Sequence, residues 1–298
     1  MGYRCIVIEN RAYISSQKNQ LIINTDRECK VPIEDISAIV ISNNSSTITT
    51  AALSRLGAGG CAVFFCDEKH LPCSIAMPFH QHSRQLSVMQ RQINMTEPMK
   101  KRIWQQIVTG KIENQAECLK LSGIDGAEGI RSISGRVRSG DTENSEATAA
   151  QRYFPLLFGD DFRRSDPECG YNPALNYGYA ILRGAIARSV AAYGLIPAIG
   201  VHHKNALDQF CLADDLIEPF RPVVDLLAKE LDIAEDLTPE VKRSLVNVLN
   251  LEVRVCGEKR AVSNAIELMV QSFVSVISGE KEKLKLPELV KLNQHSYE

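Results

Sequence analysis

Residues 83–108, SRQLSVMQRQINMTEPMKKRIWQQIV, mark the point where the hydrophobic period of the chain changes. Leu86, Met89, Ile93, Ile103, Trp104, Ile107 and Val108 recur three and four positions apart within their groups, the repeat of one helix face. The eighty residues before this stretch have a different texture. Tyr3 to Ile8, Ala12 to Ser16, Gln20 to Asn24, Cys29 to Ile33, Ile36 to Ile41 and Cys61 to Cys66 are short and rich in β-branched residues. Polar breaks such as Glu9-Asn10-Arg11 and Lys18-Asn19 separate them, a pattern that predicts strands joined as hairpins. Thr49 to Gly57 predicts a helix that stops at Gly57-Ala58-Gly59-Gly60; no Gly-Lys-Ser/Thr follows, so the glycines mark a helix end and not a phosphate loop. The expected fold class is α+β: a small β-rich domain over residues 1–80, followed by a larger all-α domain over residues 81–298.

Later helices are expected over Gln115 to Leu121, Glu146 to Phe158, Asn172 to Tyr193, Pro222 to Leu231, Pro239 to Leu249 and Val262 to Ile277. From Gly279 onward, charge alternates with leucines and a proline, which predicts a partly disordered end with a few docking residues. His80-Gln81-His82 reads as a polar linker at the junction.

At 298 residues and 44% hydrophobic content, the chain can bury one large core or two smaller ones. The formal charge of -2 carries no global sign of nucleic-acid binding, but its distribution is uneven. Residues 1–80 hold seven basic and seven acidic side chains, residues 81–140 ten and five, and the remainder seventeen and twenty-four. A local basic strip suffices for phosphate contacts, because exposed charges beyond about 10 Å are screened. The nine cysteines are odd in number and form no Cys-x-x-Cys pair, which fits reduced, mostly buried thiols. The first residues run straight into a strand pattern without the apolar segment of a signal peptide, and no apolar run approaches membrane-spanning length. A cytoplasmic protein with no membrane partner is expected.

Chemistry concentrates in Gly200 to Pro222, GVHHKNALDQFCLADDLIEPFRP, where two histidines, four carboxylates, a lysine and an arginine share one short span. Asp215 and Glu218 lie three apart, close on a helical turn, while Pro219 and Pro222 limit how that turn continues. His202 and His203 are adjacent, so their rings diverge and one of the two faces a given site. An imidazole with hard oxygen donors suits Mg²⁺ or Mn²⁺ better than structural zinc. A second cluster, SGDTENSEATAAQRYF over 139–154, offers several helix caps and places Glu146 in an early turn, where a carboxylate also interacts favourably with the helix dipole.

Four ordered blocks carry a resemblance. Glu146 with Ala149-Ala150 and Tyr153-Phe154, then Asn176-Tyr177-Gly178-Tyr179-Ala180-Ile181-Leu182-Arg183, then Gly200-Val201-His202-His203, then Leu212 to Pro222 are similar to the integrase of CRISPR adaptation, CRISPR-associated protein 1. The wording Leu-Asn-Tyr-Gly-Tyr and Asp-Leu-Ile-Glu-Pro-Phe-Arg-Pro resembles most the branch that accompanies type II systems.

The resemblance implies a Mg²⁺ or Mn²⁺ site on Glu146, His203 and Glu218, with Asp215, His202 and Tyr153 as neighbours that support it. Glutamate stands at 218 where many relatives have aspartate, which keeps hard oxygen ligation; Ala147 stands where the family often has glycine. It further implies insertion of short DNA fragments into a CRISPR array by 3′-hydroxyl attack on a repeat-end phosphodiester. The implied partners are DNA, a second copy of the chain, CRISPR-associated protein 2 bridging two dimers, and an interference nuclease of a type II system. The β-rich domain would serve dimerisation and partner docking. Arg84, Arg91, Arg163 and Arg164 become candidate phosphate contacts. Two other classes share these residues: a metal-dependent nuclease that only hydrolyses nucleic acid, and a DNA-binding scaffold with a structural acidic cluster.

Overall fold

The computed structural model describes residues 4–68, 72–76, 85–166, 170–231 and 237–296. The chain divides into two compact units, Met1–His82 and Ser83–Glu298.

In the first unit the order is β1 (Arg4–Ile8), β2 (Tyr13–Gln17), β3 (Gln20–Asn24), β4 (Glu28–Pro32), β5 (Ile36–Ile41), β6 (Thr47–Ile48), α1 (Thr50–Ala58), β7 (Ala62–Cys66) and β8 (Pro72–Ala76). One sheet runs β4-β3-β2-β6, the other β1-β5-β7-β8. The β2–β3 hairpin turns on Lys18 and Asn19 at φ 47° and 60°, the left-handed pair that matches the twist of adjoining strands. The second sheet departs from the expected run of hairpins: β1, β5 and β7 pair in parallel. Ile36–Ile41 is buried at all six positions, and a strand covered on both faces needs no alternation, which is the habit of parallel strands. The Thr49 hydroxyl accepts the Ala52 amide and starts α1. Ile14, Leu21, Ile36, Ile39, Leu56 and Val63 then close one core between α1 and both sheets.

The second unit runs α2 (Gln85–Ile93), α3 (Glu97–Leu121), α4 (Ala127–Ser134), α5 (Ser145–Phe158), α6 (Asn172–Ala192), α7 (Cys211–Leu216), α8 (Arg221–Glu230), α9 (Pro239–Val246), β9 (Glu252–Val255), β10 (Glu258–Ala261) and α10 (Val262–Ile277). It is helical as expected, with one addition, the β9–β10 hairpin. Its turn uses Cys256 at φ 52° and Gly257 at φ 85°. The expected helix at Gln115 to Leu121 is the last part of the 25-residue α3, whose buried positions include Ile103, Trp104, Ile107, Val108, Lys111, Ile112 and Asn114. At Gly178 of α6 a Cβ would meet Val224 Cγ1 of α8 at 2.5 Å, so only glycine permits this crossing.

The carboxy-terminal segment corrects the expectation of a loose end. Asn114 of α3 donates to the Pro219 and Pro287 carbonyls at 2.7 and 2.9 Å and accepts the Leu289 amide at 2.9 Å. Arg254 and Glu288 exchange backbone hydrogen bonds, the Glu252 amide reaches the Asn293 carbonyl, and Leu284 and Leu289 are buried. Leucines among charges were anchors here, because buried backbone groups found partners on α3 and β9. Among the described residues no helix is long and apolar enough to cross a membrane. The His80 to His82 linker lies outside the described residues.

Candidate metal centre

The centre is organised by one face of α3. Trp104, Lys111 and Asn114 lie seven and three residues apart, so they project to one side of the helix, and all three are buried.

Glu146 reaches that face from the first turn of α5. Asp141, four residues ahead of the helix and at φ 51°, accepts the Ser145 amide at 2.8 Å and the Glu146 amide at 3.0 Å. This carboxylate satisfies two orphan donors of the helix start and fixes where Glu146 leaves the backbone. Glu218 opens a 3-10 turn, Glu218–Phe220, because Pro219 interrupts the helix begun by α7.

The two glutamates meet on one cation. Lys111 Nζ lies 2.6 Å from Glu146 Oε1 and 2.5 Å from Glu218 Oε2. Glu218 Oε1 accepts from Arg221 Nε at 2.9 Å. Burial alone would raise the Glu218 pKa, but Arg221 and Lys111 outweigh it and hold the carboxyl down to about 2. The same balance works in reverse on Lys111: burial opposes its charge, and Glu218 and Glu146 raise its pKa nonetheless.

His203 lies near enough to Glu218 to feel its charge, against Trp104 of the same helix, and is held by Asp215 of α7. Asp215 is fully buried; its Oδ2 accepts the Val201 and His202 amides at 2.6 and 3.1 Å, and its Oδ1 accepts the His203 amide at 3.1 Å and Nδ1 at 2.7 Å. As a fourfold acceptor Asp215 requires the proton on Nδ1, which reserves the Nε2 lone pair for another ligand. The bond to Asp215 raises the His203 pKa above its ordinary value, partly opposed by burial and reinforced by the charges of Asp215, Glu218 and Asp214. Gly200 makes the turn possible, since a Cβ there would meet Asp215 Oδ2 at 2.6 Å and the His203 carbonyl at 2.7 Å.

The adjacent histidines diverge as expected. His202 stacks on Trp104 with ring centroids 4.1 Å apart and planes 2° from parallel, whereas His203 meets the same indole edge-on at 5.7 Å. The other two carboxylates of the stretch are occupied elsewhere. Asp208 and Asp214 both grip Arg183 of α6, with contacts from 2.6 to 2.9 Å.

The structure therefore brings Glu146 and Glu218 together and sets His203, His202 and Asp215 against the same helix. Asp215 and Glu218, close in sequence, point to different partners. Tyr153 is fully buried and donates to Asp225 Oδ2 at 2.9 Å; Tyr179 donates to the other oxygen of Asp225. Burial raises the Asp225 pKa to about 6, although both hydroxyls and the Arg221 and Lys111 charges pull it down. Arg221 in turn lies over the Tyr179 ring at 4.5 Å, so the tyrosines and Asp225 back the cation that holds Glu218.

Of the candidate phosphate contacts, Arg91 is exposed on α2 and Arg163 is exposed after α5. Arg164 is half-buried and donates to the Asn172 and Asn176 side chains at 3.0 and 2.8 Å, which ties it to α6. Arg84 lies outside the described residues. Sequence reasoning missed Lys111, Asp141, Asp225 and the role of Trp104. The one available signal was a lysine on the apolar face of a helix, seven residues from a tryptophan.

Among the described residues, no group of three His, Cys, Asp or Glu side chains is drawn close enough to hold a metal ion. The donor chemistry nevertheless fits one: two carboxylates already converge on a single positive charge, and the bond of His203 Nδ1 to Asp215 leaves Nε2 as the ring atom that would take a metal once the imidazole is neutral.

The family model described as CRISPR associated protein Cas1 matches residues 5–240. CRISPR-associated endonuclease Cas1 of Neisseria meningitidis serogroup C (strain 8013) is 41% identical over the whole of both chains. Among solved structures, a casposase bound to integration product superposes with a TM-score of 0.79 at 21% identity, over 95% of this chain and 93% of the other. A Cas1 protein from Thermotoga maritima gives 0.73 at 16% identity, over 93% and 98%. The fold is thus that of the Cas1 and casposase structures. The chain belongs to the Cas1 family of CRISPR-associated proteins.

Proposed function

We propose that this protein is a divalent-metal-dependent DNA integrase and endonuclease of CRISPR adaptation. It would join the 3′-hydroxyl of a short DNA fragment to a phosphodiester at a repeat end, with Glu146, His203 and Glu218 as the ligands of Mg²⁺ or Mn²⁺. The observation that carries this reading is the convergence of Glu146 and Glu218, from α5 and the turn after α7, on one buried positive charge beside His203. Membership of the Cas1 family and the endonuclease name of the 41% identical Neisseria relative support it, as does the likeness to a casposase bound to its integration product.

A bound divalent ion supplies polarisation of the phosphoryl oxygen and stabilisation of the departing 3′-oxygen. The protein's own residues do the rest by placement. Arg221 and Lys111 keep Glu218 anionic at every pH near neutrality. Asp215 fixes the tautomer and orientation of His203, and Trp104 supplies a flat wall that holds both imidazoles. One phosphodiester bond forms as another breaks, so the exchange needs no nucleoside triphosphate; water in place of the hydroxyl gives endonuclease activity. DNA, a second copy and CRISPR-associated protein 2 are the proposed partners, in line with the likeness to 36% of a chain in a Cas6-RT-Cas1–Cas2 complex. The strand-rich unit is the proposed dimerisation and docking element, an interference nuclease a further partner, and Arg91 and Arg163, exposed although bonded to Ser278 and to the Asp160 and Phe162 carbonyls, the proposed phosphate contacts.

The test is joining of a short duplex to a repeat-bearing plasmid with Mg²⁺, Mn²⁺ or chelator, with and without the small partner. His203→Ala should abolish metal-dependent joining and His202→Ala should only reduce it. Full joining by His203→Ala would refute the ligand assignment; release of cut products without joined ones would favour the hydrolytic reading.

A further inference from the structure

Lys111 is a single positive charge shared by two carboxylates, and it is nine-tenths buried as a side chain. Its ammonium stands at hydrogen-bond distance from Glu146 Oε1 and Glu218 Oε2, so those two oxygens are no farther apart than the sum of the contacts. Two anions that close, Glu218 buried and Glu146 partly so, repel unless a cation lies between them. Lys111 is that cation, and it is held in place. Gly110 beside it packs on Leu286 and Pro219, and Asn114 one turn later is bound to the Pro219 and Pro287 carbonyls.

A divalent ion on the same oxygens asks for something different. Mg²⁺ draws carboxylate oxygens to about 2.1 Å, closer than an ammonium nitrogen allows, and it tolerates no second cation at the centre of its ligands. Accordingly we propose, resting on the metal-site reading above, that Lys111 is a resident competitor for the metal. It would keep Glu146 and Glu218 converged while no ion is bound, and would have to leave their shared oxygens when one enters. Lys111 is then a positioning residue: it preforms the ligand pair at the cost of metal affinity. The flexible four-carbon stem of lysine suits this exchange, where a planar guanidinium would lock the pair.

The probe is Mn²⁺ alone, without DNA, added to the full-length protein and followed by the electron paramagnetic resonance signal of the free ion. Lys111→Gln removes the charge and keeps a hydrogen-bond donor. It should bind Mn²⁺ about tenfold tighter than the unsubstituted protein, the equivalent of about 1.4 kcal/mol. Its Tm without metal should fall, and the rise in Tm on adding Mn²⁺ should exceed that of the parent. Equal or weaker binding by Lys111→Gln, with the parent binding Mn²⁺, overturns the competitor role and leaves the metal site standing. No Mn²⁺ binding by either protein overturns the metal site itself and the proposal with it. Lys111→Met goes further and can fail to fold without metal. In that case refolding in Mn²⁺, followed by circular dichroism, is the expected result, and failure of Mn²⁺ to restore structure counts against the proposal. A lysine with a purely structural role gives neither the affinity gain nor a metal-specific rescue.

Discussion

Replacing Asp215 by asparagine alters one atom, yet the structure predicts a large effect. The carboxylate is fully buried and divides its work between its oxygens: Oδ2 takes the Val201 and His202 amides, Oδ1 takes the His203 amide and Nδ1. An asparagine can present its oxygen to one of these pairs only. With the oxygen toward Val201, the side-chain NH₂ faces the His203 amide and imidazole N–H; with the oxygen toward His203, it faces the two other amides. Either way donors oppose donors and at least one buried amide loses its partner. An orphaned buried donor costs about 1–3 kcal/mol, and a hydrogen bond to a charged acceptor contributes about 1.5–3 kcal/mol more than nothing at all. About 3 kcal/mol of destabilisation is therefore expected, large against a typical total of about 5–15 kcal/mol. Urea unfolding of the parent and the variant measures it. The His203 pKa, followed by NMR, should also fall back toward its ordinary value, because Asp215 is the main reason that it is raised. A loss below about 0.5 kcal/mol, which is the scatter of ordinary surface substitutions, would show that the turn does not depend on this carboxylate.

Gly200→Ala probes the same turn sterically: its Cβ would lie 2.6 Å from Asp215 Oδ2 and 2.7 Å from the His203 carbonyl. Joining activity should drop sharply with a stability loss of about 1–3 kcal/mol, and parent-like values for both would mean that the turn relaxes freely. Asn114→Ala leaves two carbonyls and an amide without their buried partner, so about 2–4 kcal/mol should be lost. Limited proteolysis should then cut near Pro287, and a resistant tail would count against this anchor. Asp225 has a folded pKa raised to about 6 from an ordinary value of 3.8, so the native state binds the extra proton between those values. Its contribution to stability therefore falls as pH rises through that window and stays low above it. Relative to the parent, Asp225→Asn should gain about 3 kcal/mol between pH 4 and pH 7, and a pH-independent difference in urea unfolding would contradict the assignment.

How much of this was legible in the sequence follows from the range of each interaction. Val262–Ile277 stands where its periodicity put it, and Glu146 lies in the first helical turn, because both depend on neighbours a few residues away. The cap that fixes Glu146 is Asp141, earlier than a cap search looks, and it works only because the intervening residues turn through left-handed backbone at Asp141 and Asn144. The parallel pairing of β1, β5 and β7 was hidden for a related reason. Hairpins are announced by a turn between the strands they join, whereas parallel partners are separated by whole elements and show only that both faces are apolar. Lys111 carried only its place seven residues from Trp104 as a signal, since a lone lysine in a long helix reads as solvated until its two glutamate partners are in place.

That dependence ties the site to the folding of the helical unit. Each contributing segment is anchored to a different part of the core: α5 by Tyr153 on Asp225, the histidine turn by Asp215 and by Trp104, and the Glu218 turn by Asn114 and Arg221. None of these anchors is a proposed ligand; Tyr153, Asp225, Asp215, Trp104 and Asn114 are buried and Arg221 is partly so. Two like charges at the centre cannot hold themselves together; the surrounding hydrogen bonds and the Lys111 and Arg221 charges must do so first. The local stability of these anchors therefore limits how well the proposed ligand set is preformed. A substitution at an anchor that is no proposed ligand, such as Asn114→Ala, should weaken Mn²⁺ binding in proportion to the stability that it removes from this unit, and stabilising α3 should tighten it without a change in any proposed ligand.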